Sequence, residues 1–418
     1  MVAPLGKDGM NMADRAQTQA LDVLVVGGGP VGLSLAIAIT RFVPGIRLGL
    51  LDRRRLVVPQ DMRASAIATG VRQMFEAIGV WPGMADAANP IAEMKITDSG
   101  SGDLARPVFL DFADGAAPGE PFAHMVPNRA SAPALLAAVG SSIDVLEPGV
   151  VTDLTVGPAF AEVSLEDGRT LKATLVIAAD GGRSTLRGLA GIKAFSHDYR
   201  QAGLVTTIGH SEPHHDVAYE HFLPAGPFAS LPLKGDQSSL VWAETPDMAQ
   251  ALLAMTPGDL ALRIEAAMGS VLGRVEIAEK VQSFPLSLVL AHRFAAPRVA
   301  LVGDAAHVIH PLAGQGLNLG LRDVAVLVEV LVDAIRLGED FGRLDVLERY
   351  ERRRRGDTAT MALATDGLNR LFSNDIAPMR ALRDLGLSLV DRVEPLKGAF
   401  MAQAAGTSGA KLLKGLAP

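Results

Sequence analysis

The chain has 418 residues, 49% of them hydrophobic, with 39 Lys and Arg against 46 Asp and Glu, a net charge of -7 and no cysteine. The missing thiol excludes disulfides, thiol catalysis, cysteine-ligated zinc and a cysteinyl-linked flavin, and the acidic balance speaks against nucleic acid as a partner. A chain of this length buries a large core and is expected to form two intimately joined domains with a helical tail.

Residues 1–20 are polar, with Lys7, Asp8, Asp14 and Arg15 and no apolar run, and read as a flexible leader rather than a signal or transit peptide. An apolar strand over 23–26 then runs into Gly27-Gly28-Gly29-Pro30-Val31-Gly32 and a small-residue helix over 33–40. A second apolar run, 48–51, ends at Asp52, twenty residues beyond Gly32, with Arg53 beside it. Glycines, strand, helix and acid together make the dinucleotide-binding fingerprint. Gly27 permits the tight turn, Gly29 lets a pyrophosphate approach, Gly32 allows close helix packing, and Asp52 would hold the adenosine ribose. Residues 23–40 carry no charge over eighteen positions, but three glycines and a proline would break a membrane helix in its middle.

The middle of the chain reads differently. Runs at 204–208, 218–222, 228–232 and 240–244 are short and strand-like, separated by Gly, Pro or Asp, and predict a second sheet to which residues 95–112 add strands. Five of the nine histidines, His197, His210, His214, His215 and His221, fall here without carboxylates at a ligand spacing, so no metal is expected. Residues 299–302 form another strand, followed by Gly303-Asp304, where a carboxylate can accept hydrogen bonds from sugar hydroxyls. Gly314-Gln315-Gly316 then opens a helix carrying Leu319, Val324, Leu327, Val328, Leu331 and Ile335 on its apolar positions. Its glycines allow close approach to a flat ring, and its free N–H groups favour developing negative charge. Arg352 to Arg355 read as a solvated helix face, and residues 344–418 as mostly helical with breaks at Pro378, Pro395 and Gly406. There is no second G-x-G-x-x-G.

Three motifs, the 27–32 fingerprint with Asp52 and Arg53, the segment 179–187 around Asp180-Gly181, and the segment 303–323, resemble the class A flavoprotein monooxygenases. They are most similar to the hydroxylases of ubiquinone biosynthesis, and the likeness extends over about residues 21–406. The resemblance implies an α/β p-hydroxybenzoate hydroxylase-like fold, in which a discontinuous Rossmann-like FAD-binding domain holds an inserted mixed β-sheet domain for substrate, with a helical C-terminal region. The expected division is a leader at 1–20, an FAD domain at 21–94, 122–193 and 282–338, a substrate domain at 95–121 and 194–281, and a helical region at 339–418.

The same resemblance implies non-covalent FAD, O2 as co-substrate, and electrons from NAD(P)H or a ferredoxin chain. The oxygen atom would pass from a flavin C4a-hydroperoxide to the ring of a polyprenylated phenol; another phenol, an alkene, or a non-catalytic FAD-retaining scaffold role are the alternatives. Arg63 and Arg129 resemble flavin-contacting arginines, although the residues after Arg129 depart from the family pattern. Asp180 belongs to the FAD site or its bridge to the nicotinamide path, and Arg187 is expected to anchor that loop through a carboxylate. Asp304, Pro311, Gly314, Gly316, Leu317 and Asn318 are expected along the flavin, with Pro311, Gln315 and His310 as catalytic candidates, although packing accounts for His310 as well. No base for the substrate can be assigned. With no export signal or span, the expected location is cytoplasmic; a homodimer, a ubiquinone-biosynthesis complex and peripheral contact with the inner membrane remain open.

Overall fold

The computed structural model describes residues 20–58, 63–98, 108–112, 120–372, 412, 413 and 416. Nearly all of the expected leader and the expected helix breaks at Pro378, Pro395 and Gly406 lie outside these residues.

Val23, Leu24 and Val25 are wholly buried because their strand, Leu21–Val26, is flanked by parallel partners on both sides. Across this sheet the strands run Ala295–Ala296, Val299–Leu301, Thr170–Ala178, Leu21–Val26, Leu48–Leu51 and Ile143–Val145. All neighbouring pairs on this path are parallel except the first. Register places Leu301, Ala178, Val26 and Leu51 side by side, so four chain turns leave the sheet at one edge. Helix Pro30–Phe42 starts inside the fingerprint, at its proline, and helix Gln315–Arg336 packs against it. Gly27 sits at φ +118°, and a Cβ on Gly32 would lie 1.9 Å from the Gly27 carbonyl oxygen. Only glycine lets this helix enter so close to the turn.

The second sheet has nine strands in the main order His307–Val308, Gln282–Ala291, Ala194–His210, Gln237–Glu244, Gly226–Leu233, Val217–Leu223, Glu93–Asp98 and Val108–Phe112, with Val275–Ile277 alongside Ala194–His210. Its outer face buries Leu204, Ile208, Phe228, Leu240 and Trp242 against helices Pro246–Leu253 and Pro257–Met268. Thr245 and Thr256 cap these two helices, each hydroxyl accepting from a first-turn backbone N–H. A third sheet, Ala64–Ala68, Asn89–Ile91 and Ala123–Pro127, packs Ala66, Ile91 and Met125 against Ala218, Ala229 and Leu231 of the second.

Two features of the expected division change. Gln282–Ala291 pairs antiparallel with Ala194–His210 from Ala194↔Ala291 to Val205↔Gln282, which ties the start of the expected 282–338 segment to the second sheet. An alternating strand shows no partner in its sequence, so pairing alone decides its sheet. The segment expected as FAD domain before residue 94 also gives two strands to the separate three-stranded sheet. Helix Leu344–Phe372 closes the described fold: Tyr350 donates to the Leu301 carbonyl at 2.7 Å, and Glu351 accepts from the backbone of Phe294 and Ala295. Among the described residues no helix is long and apolar enough to cross a membrane.

Candidate cofactor and ring-binding site

At the sheet edge where the four turns emerge, Asp304, Asp180, the 27–32 turn and Asp52 follow one another across adjacent strands. In an open parallel sheet this is the edge that receives ligands. Asp52 accepts from Gly28 N at 2.7 Å through Oδ2 and from Arg54 N at 2.8 Å through Oδ1. Each carboxylate oxygen retains a lone pair for a sugar hydroxyl. Arg53 is exposed beside it. Helix Pro30–Phe42 has no side-chain cap and no acid in its first turn, and the space beside Gly29 is open to 4 Å. Its positive end is left for an anion.

Asp180 holds the next turn through Oδ2, which accepts from Thr185 N at 2.8 Å and Leu186 N at 3.2 Å. Its Oδ1 is buried without a partner among the described residues, a deficit that a bound donor would remove. Arg187 departs from expectation: it grips two carbonyls, Ala305 O and Gly182 O, both at 2.9 Å, and so fastens the Asp180 turn to the Asp304 turn. Five donors on a planar fork let an arginine bridge two loops without a carboxylate. Asp304 is open to solvent yet surrounded by protein, as at the floor of a cleft. Burial pushes its carboxyl upward, against the pull of His307 and Arg63. The Arg63 guanidinium lies 5.0 Å from the Phe284 ring centroid, linking the cofactor edge to the second sheet. Arg129 is exposed at the start of helix Asn128–Ala137, 3.8 Å from Glu279.

Gly314 takes φ +63° and starts helix Gln315–Arg336 without a side-chain cap, and the space at Gly316 is open. Gly314 N donates to Pro311 O at 3.1 Å, while the first-turn N–H groups of Gly316 and Leu317 have no side-chain cap and are left for a ligand. Asn318 faces protein instead: Oδ1 accepts from Ala68 N at 2.9 Å and Nδ2 donates to Ala66 O at 2.8 Å. It positions the loop against the third sheet. Pro311 and Leu317 are half-buried and Gln315 is buried. His310 is fully buried, 3.3 Å from Gln201 Oε1 and edge-on to Tyr199, and burial pushes its imidazole down to about 4. It is neutral at neutral pH.

One functional group escaped the sequence reading. Asp323, fully buried, accepts from Gly303 N at 2.9 Å, pairs with His307 Nε2 at 2.6 Å and with Arg354 Nε at 2.7 Å. Burial alone would raise its carboxyl, but His307 and Arg354 outweigh it and hold it below the ordinary range. The expected solvated face of Arg352 to Arg355 is thus corrected at Arg354, whose side chain is 4% exposed. Four consecutive arginines cover all sides of a helix, so one of them must point at whatever packs there.

A cavity of about 1020 Å3, lined by Leu253, Met255, Leu260 and Val281, lies between the second sheet and its helices and reaches Gln201, the residue that meets His310. Convergent chemistry at the strand ends, rather than volume, locates the site. Uncapped helix starts, the orphaned Asp180 oxygen and the open floor at Asp304 together fit FAD.

The family described as FAD binding domain matches residues 20–363. The chain is 43% identical to the ubiquinone hydroxylase UbiL of Rhodospirillum rubrum, covering 92% of this chain and 90% of that one. It is 33% identical to the 3-demethoxyubiquinol 3-hydroxylase of Escherichia coli, covering 93% and 99%. Among solved structures, p-nitrophenol 4-monooxygenase PnpA from Pseudomonas putida superposes with a TM-score of 0.73 at 20% identity, covering 93% of this chain and 99% of that one.

Proposed function

Because the chain belongs to the FAD-binding monooxygenases and, within them, to the ubiquinone hydroxylases, we propose that it hydroxylates the ring of a polyprenylated phenol during ubiquinone formation. The observation that carries this reading is the placement of the uncapped Gly314 turn: a Cβ on Gly314 would lie 3.3 Å from Ala66 Cβ, and Ala66 belongs to the apolar cluster between the third sheet and the second. A flavin at that turn would face an apolar sheet rather than open water.

In this reading residues 27–32 and the start of helix Pro30–Phe42 hold the pyrophosphate, with Arg63 as its cation, Asp52 on the adenosine ribose with Arg53 beside it, and Arg129 toward the flavin. Asp180 and Asp304 take the hydroxyls along the middle of the cofactor. Backbone N–H groups of Gly316 and Leu317, beside Pro311 and Gln315, stabilise negative charge at the pyrimidine edge. Asn318 keeps that turn in place, and neutral His310 packs behind it. Bound FAD supplies the two-electron activation of O2 that lets one oxygen atom pass to an electron-rich ring. The protein holds the ring, excludes water and orients the hydroxyl. Electrons come from NAD(P)H or a ferredoxin chain, and the single dinucleotide fingerprint in the sequence fits a nicotinamide cofactor that acts without a fold of its own.

The test begins with the purified protein's visible spectrum and the mass of the released cofactor. FAD at about one per chain, followed by hydroxylation of a prenylated phenol under oxygen, is the expected result. A colourless protein that refuses added FAD overturns the reading. Anaerobic bleaching by NAD(P)H, or only by a reduced ferredoxin, decides the donor. Gly316→Trp, which places an indole in the open space at the turn, separates enzyme from scaffold: turnover is expected to fall about 100-fold with the fold intact.

A further inference from the structure

Glu220 is the one acidic residue of strand Val217–Leu223, and its surroundings do not account for it. Alternation along the strand places it with Ala218 and Phe222, while Tyr219 and His221 take the opposite face. On that opposite face His221 meets Phe228, bonds Thr97 Oγ1 at 2.5 Å and belongs to the layer beneath the two covering helices. The face of Glu220 is the other one. Across the ladders it stands opposite Ala229 on one side and Ile96 on the other. Ala218 and Ala229 belong to the same apolar cluster as Ala66, the residue against which the Gly314 turn is packed. A carboxylate has therefore been put on the second-sheet face that packs against the strand of Ala66, the strand on which the Gly314 turn rests.

Glu220 is 6% exposed and makes no hydrogen bond or ion pair among the described residues. A buried carboxylate is normally paired or hydrogen-bonded, because removing its charge from water is otherwise uncompensated. Burial is the sole influence on its acidity and pushes it up to about 7. An apolar residue or a glutamine would fill the place at less cost, so retaining an acid here calls for a partner that arrives with a ligand.

Resting on the hydroxylase reading above, we propose that Glu220 receives the ring hydroxyl of the substrate, accepting its hydrogen bond in the bound complex and its proton as the ring is oxygenated. The step is a proton transfer: the phenol O–H bond breaks, a new O–H bond forms on the Glu220 carboxylate, and the electron pair stays on the phenol oxygen, where it is shared with the ring. The ring carbons ortho and para to that oxygen become better nucleophiles. No oxidant is consumed in this step. A base closer in acidity to a phenol than an ordinary carboxylate suits the transfer.

The probes are a phenol bearing a short prenyl chain and its O-methyl ether, bound to the oxidised FAD-loaded protein and followed by flavin fluorescence. Wild type is expected to bind the phenol about tenfold more tightly than the ether. Glu220→Gln keeps that preference, because its amide oxygen still accepts, but loses about 100-fold in kcat. Glu220→Ala loses preference and turnover together. A merely structural role would weaken both ligands alike. Equal binding of phenol and ether by wild type, or wild-type kcat in Glu220→Gln, overturns the assignment. If Glu220→Ala does not retain FAD, the isosteric glutamine variant decides through its kcat. A wild type that binds neither probe and hydroxylates no prenylated phenol overturns the function itself; one that turns over while the glutamine variant matches it overturns only Glu220.

Discussion

The two halves of the cleft are built by opposite rules. On the cofactor side each turn is fixed by several bonds: Asp52 to two backbone donors, Asp180 to two more, Arg187 to two carbonyls and Asp323 to three donors. On the facing side Ala66 and Met125 of the third sheet pack on Ala218, Ala229 and Leu231 of the second, the sheet face that carries Glu220. A cofactor common to every turnover is held by a rigid frame made in advance, whereas an oily substrate is held by shape with one polar contact.

The largest effect is expected where the rigid half tolerates nothing. Gly32→Val puts carbon 1.9 Å from the Gly27 carbonyl oxygen and within 3.2 Å of Ala179 Cβ, in backbone that cannot yield without opening the strand edge. The variant is expected to purify without flavin, or to fail to fold. Its FAD-to-protein absorbance ratio checks this, and a yellow, normally loaded Gly32→Val would break the comparison.

Next comes Asp323→Asn. It removes one of the two carboxylates that pair the buried Arg354 guanidinium, the other being Asp357, at a cost of about 1.5–3 kcal/mol. The sign with pH follows from the depressed carboxyl: the folded protein binds its proton less readily than the unfolded chain, so the stabilisation is full above the ordinary value of 3.8 and is lost as pH falls through the lower folded value. Urea midpoints measured from neutral pH into acid are expected to fall steeply for wild type and less steeply for the variant. Equal slopes would mean that Asp323 is not the acid-labile joint.

The difference between the halves also explains what could be read in advance. Phosphates and ribose demand fixed residues at fixed spacing, so Gly27, Gly29, Gly32, Asp52 and the Gly303-Asp304 turn stood out, and their strands proved to be neighbours. Glu220 did not, because a strand's alternation says which residues share a face without saying which face meets the layer that bears the Gly314 turn. That required the pairing with Ala229 and the contact of Ala66 with Gly314. Gln282–Ala291 was misplaced for the same reason, since a strand's partner is chosen by tertiary pairing. Arg354 and Asp323 are thirty-one residues apart and meet only when two helices pack.

The smallest effect sharpens the comparison at its border. Arg352 lies two residues from Arg354 on the same helix, but its side chain is 67% exposed and stands 3.9 Å from Glu348, one turn earlier. An exposed pair at that spacing exchanges one set of favourable contacts for another with water and is screened by salt, so it contributes little. Arg352→Ala is expected to change stability by less than about 0.5 kcal/mol and to leave the FAD ratio untouched. Measured at low and high salt, its urea midpoint is expected to converge with that of wild type. A loss that persists at high salt would mean that the exposed side of this helix, and not only Arg354, supports the cofactor frame.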